Sequence, residues 1–352
     1  MSEDRKIIVA AAQLGPIQLE TPREKVLQRM LKLLDDASSQ GVRLVTFPEL
    51  ALTTFFPRHV LTDEAELAKF FEPESEGEPK ALRASPNLKP LFDKAQGLGI
   101  DFAVGYAERW TDAAGKKTDY NTMIYYSAIE DSIISKYRKV HLPGSYEPFN
   151  RPNFSEQLEK RYFTPGDLGF PAFRAPGLVN DAAKADSKDS TPGKGDPILG
   201  MLICNDRRWP EAWRCYGLQG VELVLEGYNT TGYAPQNRGD EEEQYDLAVF
   251  HHRLSCQAGS YQNACFSINT AKAGVEDGGL LIAGSVIVAP SGKIVAESKT
   301  RDDELVVAEI DLCDCARYKN GVFNFAKHRR VEHYSPIVNQ VGAVEIPLLS
   351  SK

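Results

Sequence analysis

The sequence predicts an α/β protein built of layers. Residues 6–47 read strand–helix–strand, and strand-like and helix-like segments then alternate as far as residue 311. Of the 352 residues 42% are hydrophobic, ample for a sizeable core. No apolar run approaches the length of a membrane-spanning helix.

The N-terminal unit is marked residue by residue. KIIVAAAQ (6–13) is a short apolar run before Gly15 and Pro16, as expected of a buried strand. Thr21 is placed to cap a helix, with Pro22 at the first helical position and Glu24 closing a capping box. Val26, Met30, Leu34 and Ala37 recur at helical spacing, and Gly41 ends the helix. VRLVTF (42–47) is the second strand.

Farther along, 88–98 reads as a helix, and 101–106, 121–127 and 131–135 read as strands. ILGMLIC (198–204) is a strand ending at a cysteine, VELVLEG (221–227) is another, and a helix runs through 241–260. Segments 264–270, 284–290, 293–297 and 304–311 are late strands, with a Ser291-Gly292 hairpin turn between the middle two. Length alone slightly favours two domains. The polar, Pro-, Gly- and Ser-rich stretch 176–196 nevertheless reads as a surface insertion, because the strand pattern resumes unchanged on both sides. One domain over 1–352 is therefore expected, with a C-terminal tail at 341–352.

Composition narrows the function. The net charge is −8, with no basic stripe, which argues against a nucleic-acid partner. MSEDRKIIVAAAQLG lacks the apolar core and cleavage site of a signal peptide, so a cytoplasmic protein with no membrane partner is expected. Six cysteines, at 204, 215, 256, 265, 313 and 315, form no C-x-x-C pair, and the six histidines lack zinc-ligand spacing. No metal and no cofactor are expected.

Three segments can carry chemistry. In VTFPELALTTFFP (45–57) Glu49 follows a buried strand, near the edge where α/β sites gather, and partial burial would raise its pKa toward that of a general base. The same pattern fits a carboxylate in the first turn of a helix. In ISKYRKVHLPG (134–144) Lys139 is placed to stay charged beside an anionic intermediate, though such a charge cluster also fits solvated surface. In GMLICNDRRWPEAWR (200–214) Cys204 ends a strand just before a helix with Pro210 in its first turn. That helix terminus, with Arg207 and Arg208, would lower the thiol's pKa toward a reactive thiolate. The bland alternative is a buried strand-end cysteine beside two surface arginines. The other cysteines compete poorly: Cys215 is expected to face the core, Cys256 and Cys265 have apolar neighbours, and Cys313 and Cys315 fall in a late acidic turn. There is no G-x-S-x-G elbow, P-loop or G-x-G-x-x-G, and the adjacent His251 and His252 cannot share a metal.

Taken in order, Glu after F-P, Lys in Y-R-K-x-H-L-P-G and Cys in I-C-N-D-R-R-W-P-E resemble the motifs of the carbon–nitrogen hydrolase, or nitrilase, superfamily. The resemblance assigns Cys204, Glu49 and Lys139 as catalytic residues. Within the superfamily the closest likeness is to the N-carbamoyl-D-amino acid amidohydrolases, through ELALTTFFPR, KYRKVHLPG, LEKRYFTPGDLGFP, CNDRRWPEAWR, AGSYQN and FNFAKHR. It covers nearly the whole chain, lapsing at 176–196, around 231–243 and in the last dozen residues. It implies a four-layer αββα sandwich, a homodimer or homotetramer, and a second active-site carboxylate at Glu159, which could equally be a surface ion pair with Lys160 or Arg161.

The resemblance also implies a reaction. Cys204 attacks a carbamoyl carbon, Glu49 moves the proton, and Lys139 with the Asn205 N–H meets the oxyanion. Arg207 and Arg208 suit an amino-acid carboxylate, since guanidinium offers a planar fork. Asn229 and His141 are further candidates for substrate contact, His141 fitting a structural hydrogen bond as well. Rival readings are an aliphatic amidase, β-ureidopropionase or nitrilase, which share the Cys, Glu and Lys but give the arginines nothing to bind. A thiol acyltransferase, a redox sensor and an inactive scaffold stand outside the class; a sensor would want a resolving cysteine nearby.

Overall fold

Successive side chains of a strand point to opposite faces, and here that alternation sets the layers. Val9 and Ala11 of strand β1 (Lys6–Gln13) enter one apolar core, and Ala10 and Ala12 enter another. The computed structural model describes residues 5–78, 80–179 and 195–349.

In chain order β1 is followed by β2 (Leu44–Thr46), β3 (Phe71–Ser75), β4 (Asp101–Thr111), β5 (Lys117–Ser127), β6 (Ser132–Arg138), β7 (Phe173–Arg174), β8 (Ile198–Ile203) and β9 (Leu223–Tyr228). Then come β10 (Phe266–Ala271), β11 (Gly274–Glu276), β12 (Gly279–Leu281), β13 (Val286–Val288), β14 (Ile294–Glu297) and β15 (Glu304–Asp311). One sheet has the order β15-β1-β2-β4-β5-β6, with β3 also on β4; the other has β14-β13-β10-β9-β8-β7. β1, β2 and β4 run parallel, as do β8, β9 and β10, so each parallel set gathers its carboxyl ends on one side.

The core between the sheets takes Val9, Ala11 and Tyr125 from the first and Met201, Leu225 and Ile268 from the second. Behind the first sheet, Ala10 and Val45 pack on Met30 and Leu34 of helix Arg23–Ser39 and on Leu91 and Phe92 of helix Lys89–Leu98. Behind the second, Leu202 and Val224 pack on Trp213 and Tyr216 of helix Pro210–Leu218, while Val286 and Val288 meet Cys256 of helix Glu241–Asn263. The result is the expected αββα order, with helices outside and sheets inside.

Several local expectations need correction. The first helix begins at Arg23; Pro22 stands at its cap with an extended backbone, and the Thr21 hydroxyl turns back to accept the Gln18 N–H at 3.0 Å instead of capping. Cys215 is exposed, because helix Pro210–Leu218 buries Ala212, Trp213, Tyr216 and Gly217 and turns Cys215 outward. Cys313 and Cys315 lie in helix Cys313–Lys319, and Cys315 is buried. Of the expected insertion at 176–196, residues 180–194 lie outside the described residues. The tail has no regular structure over 341–349, and Val341, Val344, Ile346, Leu348 and Leu349 are exposed. Among the described residues no helix is long and apolar enough to cross a membrane.

Candidate active site

The two sheets deliver Glu49 and Cys204 to the same place from opposite sides. Glu49 follows β2 and Cys204 follows β8, each just past the carboxyl end of a parallel strand. The Glu49 turn is pressed between two glycines, one per sheet. A Cβ on Gly105 of β4 would lie 2.7 Å from the Glu49 Cα, and one on Gly227 of β9 would lie 2.5 Å from its backbone nitrogen. Only glycine admits so close an approach of main chains.

Lys139 comes immediately after β6, and Glu159 opens the one-turn helix Glu159–Tyr162. Lys139 Nζ donates to Glu49 Oε1 at 2.7 Å and to Glu159 Oε2 at 2.6 Å, and all three side chains are wholly buried. Asn121, inside β5, donates its Nδ2 to Glu49 Oε1 at 2.7 Å and reaches Glu159 Oε2 at 3.4 Å. The other Glu49 oxygen accepts the Asn229 backbone N–H at 2.9 Å and the Asn229 Nδ2 at 3.1 Å. Glu49 is thereby fixed by three residues from three strand ends or strands.

Burial works against the Lys139 charge, but Glu159 and Glu49 outweigh it and hold the ammonium protonated. Burial, reinforced by Glu49, lifts the Glu159 carboxyl to about 7 against the pull of Lys139. The site therefore holds a permanent cation between two carboxylates, one of them poised near neutrality.

Cys204 sits in the left-handed region with φ of 51°, and its Sγ lies 3.6 Å from the Asn229 carbonyl oxygen. Burial and the facing Glu49 raise its thiol to about 11, against the opposing pull of Lys139 and Arg207. This runs against the expectation of a thiolate activated by nearby arginines: burial and Glu49 favour the thiol, which needs a base to attack. Asn205, just after the nucleophile, is the second residue of the short turn Cys204–Arg208; the first N–H groups of such a turn have no partner within it.

The residues around the nucleophile divide sharply. Cys204, Asn205, Arg208 and Asn229 line a cavity of about 700 Å³ together with Tyr233 and Arg238. Arg208 donates to Asn205 Oδ1 at 3.4 Å and has no ion-pair partner among the described residues. Arg207 does not line this cavity. It is buried, with Nη1 donating to the Cys204 carbonyl at 2.6 Å and to Glu226 Oε1 at 3.2 Å, and Nη2 donating to Thr230 Oγ1 at 2.8 Å. The expected carboxylate fork of Arg207 is already occupied, so the paired-arginine expectation reduces to Arg208.

His141 is likewise not a wall of the cavity. Its backbone N–H and Nδ1 donate to Asp206 Oδ1 at 2.9 and 2.8 Å, and its ring stacks on Trp209 at 4.8 Å. Asp206 also accepts the Tyr137 hydroxyl at 2.7 Å and the Ile203 N–H at 3.2 Å, so His141 belongs to the brace behind the nucleophile turn. Two residues of the network were not foreseen. Asn121 reads in the sequence as one polar residue of a strand, and with Thr118, Asp119 and Thr122 around it no local pattern marks it. Glu226 is one of two glutamates, with Glu222, in the otherwise apolar run 221–227. Among the described residues no group of three or more His, Cys, Asp or Glu side chains is placed to hold a metal ion.

Known proteins share this arrangement of chain. The profile of the family described as carbon–nitrogen hydrolase matches residues 8–320. A nitrilase of Pyrococcus abyssi is 26% identical over 93% of this chain and 98% of its own. An N-carbamoylputrescine amidase of Oryza sativa is 25% identical over 96% of each chain. The solved carbon–nitrogen hydrolase of Helicobacter pylori superposes with a TM-score of 0.70 at 22% identity, covering 96% of this chain and 99% of that one. With a family match running from β1 past β15, the chain belongs to the carbon–nitrogen hydrolases, enzymes of the nitrilase superfamily that act on carbon–nitrogen bonds other than peptide bonds.

Proposed function

We propose that this hydrolase converts N-carbamoyl amino acids, those of the D series foremost, to amino acid, ammonia and carbon dioxide. The observation that carries the reading is Arg208: a guanidinium without a carboxylate partner among the described residues, in the wall of the cavity that holds Cys204. Such a group is a ready receptor for a planar carboxylate. The relative named N-carbamoylputrescine amidase supports a carbamoyl group as the reacting part. The D preference rests on the resemblance of LEKRYF and NDRRWPE.

In this reading Glu49 takes the Cys204 proton as sulfur attacks the carbamoyl carbon. The oxyanion develops beside the Lys139 ammonium and the Asn205 N–H. Glu49 returns the proton to the departing nitrogen as its bond to carbon breaks, then activates the water that frees the thiol. Glu159 keeps Lys139 charged. Asn229 fixes Glu49 and offers its carbonyl to the thiol. The exposed Leu247, Phe250 and Leu254 of helix Glu241–Asn263 support a homodimer or homotetramer.

A second reading has its own observation. Glu156 lines the same cavity, and its Oε2 has no partner among the described residues, so it suits a substrate with a distal ammonium, such as a carbamoylated diamine. Ammonia release from N-carbamoyl-D- and L-amino acids, N-carbamoylputrescine and a neutral amide separates the two. Preference for the D-carbamoyl amino acid, with KM raised in Arg208→Ala, is expected; preference for N-carbamoylputrescine, insensitive to Arg208→Ala, would favour the second.

A further inference from the structure

We infer that Arg207 is a positioning residue that holds the backbone of the nucleophile, with Glu226 as its buried counter-ion, and that it is not a receptor for the substrate. This rests on the reading of Cys204 as nucleophile. Cys204 adopts a left-handed backbone, which side chains other than glycine enter rarely, so neighbours must hold it there. On one side Asp206 accepts the Ile203 N–H. On the other, the Cys204 carbonyl accepts Arg207 Nη1 at 2.6 Å.

The same guanidinium reaches the segment just past the end of β9. Its Nη2 donates to Thr230 Oγ1 at 2.8 Å, next in sequence to Asn229, which fixes Glu49 and faces the thiol. One planar fork thus joins the main chain of the nucleophile to the strand end that holds the base. A lysine, with a single point charge, cannot span both contacts.

The surroundings are built for that cation. Glu226 and Arg207 are fully buried, and the guanidinium lies over the Tyr228 ring at 4.6 Å. The second Glu226 oxygen is 3.7 Å from Cys256 Sγ, which lies 3.7 Å from His252 Nδ1; the His252 Nε2 meets the Tyr228 hydroxyl at 3.1 Å. Trp213 Nε1 donates to the Arg207 carbonyl at 2.9 Å. Only Arg207 Nε lacks a partner among the described residues, and it is buried. A substrate carboxylate would have to displace Glu226 or the Cys204 carbonyl to reach this group.

The test is steady-state kinetics of Arg207→Lys on an N-carbamoyl-D-amino acid and on a neutral amide, with the rate of Cys204 alkylation by iodoacetamide. A kcat lower by roughly 10- to 100-fold on both substrates, with KM within about twofold and slower alkylation, is expected of displaced reacting atoms. A rise in KM confined to the carboxylate substrate, with kcat unchanged, would overturn the inference. Should Arg207→Lys fail to fold, Arg207→Met with Glu226→Gln removes both buried charges together. That double variant is expected to fold and to show the same loss of kcat; wild-type kcat in it would also overturn the inference. The neutral amide keeps the comparison independent of the carbamoyl reading. Turnover surviving in Cys204→Ala would overturn the nucleophile itself, and this inference with it.

Discussion

Lys139 Nζ lies 2.7 Å from Glu49 Oε1, and neither side chain has any exposure to solvent. The ammonium fixes the Glu49 carboxylate, and in the proposed mechanism it also meets the oxyanion. Lys139→Met leaves Glu49 and Glu159 as two buried carboxylates with no cation, so a proton is taken up and Glu49 is lost as a base for part of the population. The expected result is a kcat lower by about 10²- to 10³-fold. Thermal melting should show a loss on the order of 3–5 kcal/mol, the cost of breaking a buried pair. Wild-type kcat in a folded variant would remove Lys139 from the chemistry.

Gly227 bears on the main chain of the same residue, Glu49. The Cβ of Gly227→Ala would meet the Glu49 nitrogen at 2.5 Å, and backbone rather than a flexible side chain must move. A destabilisation of roughly 1–3 kcal/mol is expected from overpacking. The kcat is expected to fall by up to about 100-fold, because Glu49 shifts relative to Cys204. Kinetics beside a melting curve check both.

The thiol predicts an unusual pH response. Burial and Glu49 push Cys204 up to about 11, so at pH 8 almost every molecule carries a neutral thiol. Alkylation by iodoacetamide should rise with pH beyond 9 without levelling, since the thiolate is what reacts. Glu49→Gln removes a repelling charge, so it should speed alkylation at pH 9 while abolishing turnover. A plateau below pH 8 in the wild type would mean a resting thiolate.

Burial, resisted by Arg207, lifts the Glu226 carboxyl to about 7 from an ordinary 4.5. A folded pKa above the unfolded one contributes stability that is full below about pH 4.5 and is lost as pH rises through 7. Between pH 5 and 8 the wild type should therefore lose up to about 3 kcal/mol relative to Glu226→Gln. Urea melts of both proteins at the two pH values measure this; parallel curves would mean that Glu226 titrates normally.

Much of this molecule was legible in its sequence where pattern and chemistry agreed. β1 at Lys6–Gln13 and β15 at Glu304–Asp311 fall on the expected residues, because short apolar or alternating runs between turn residues leave little choice. β3 was missed: FEPES, with two glutamates and a proline, reads as a loop, and it can be a strand only because it pairs β4 alone, at an edge. Glu49, Lys139 and Cys204 stand out as separate segments and Glu159 enters only through the family resemblance, but their meeting depends on sheet stacking that no local pattern encodes. Arg207 and Arg208 look alike in sequence. What separates them is Glu226, 19 residues on, together with Thr230, and that pairing exists only once β8 and β9 lie side by side.

The most direct measurement is ammonia release from an N-carbamoyl-D-amino acid by the wild type and by Cys204→Ala, with acid-quenched mass spectrometry of the wild type during turnover. Steady release, a substrate fragment bound to the peptide containing Cys204, and no release from the variant are expected. Release at the wild-type rate by Cys204→Ala would contradict the assignment of the nucleophile.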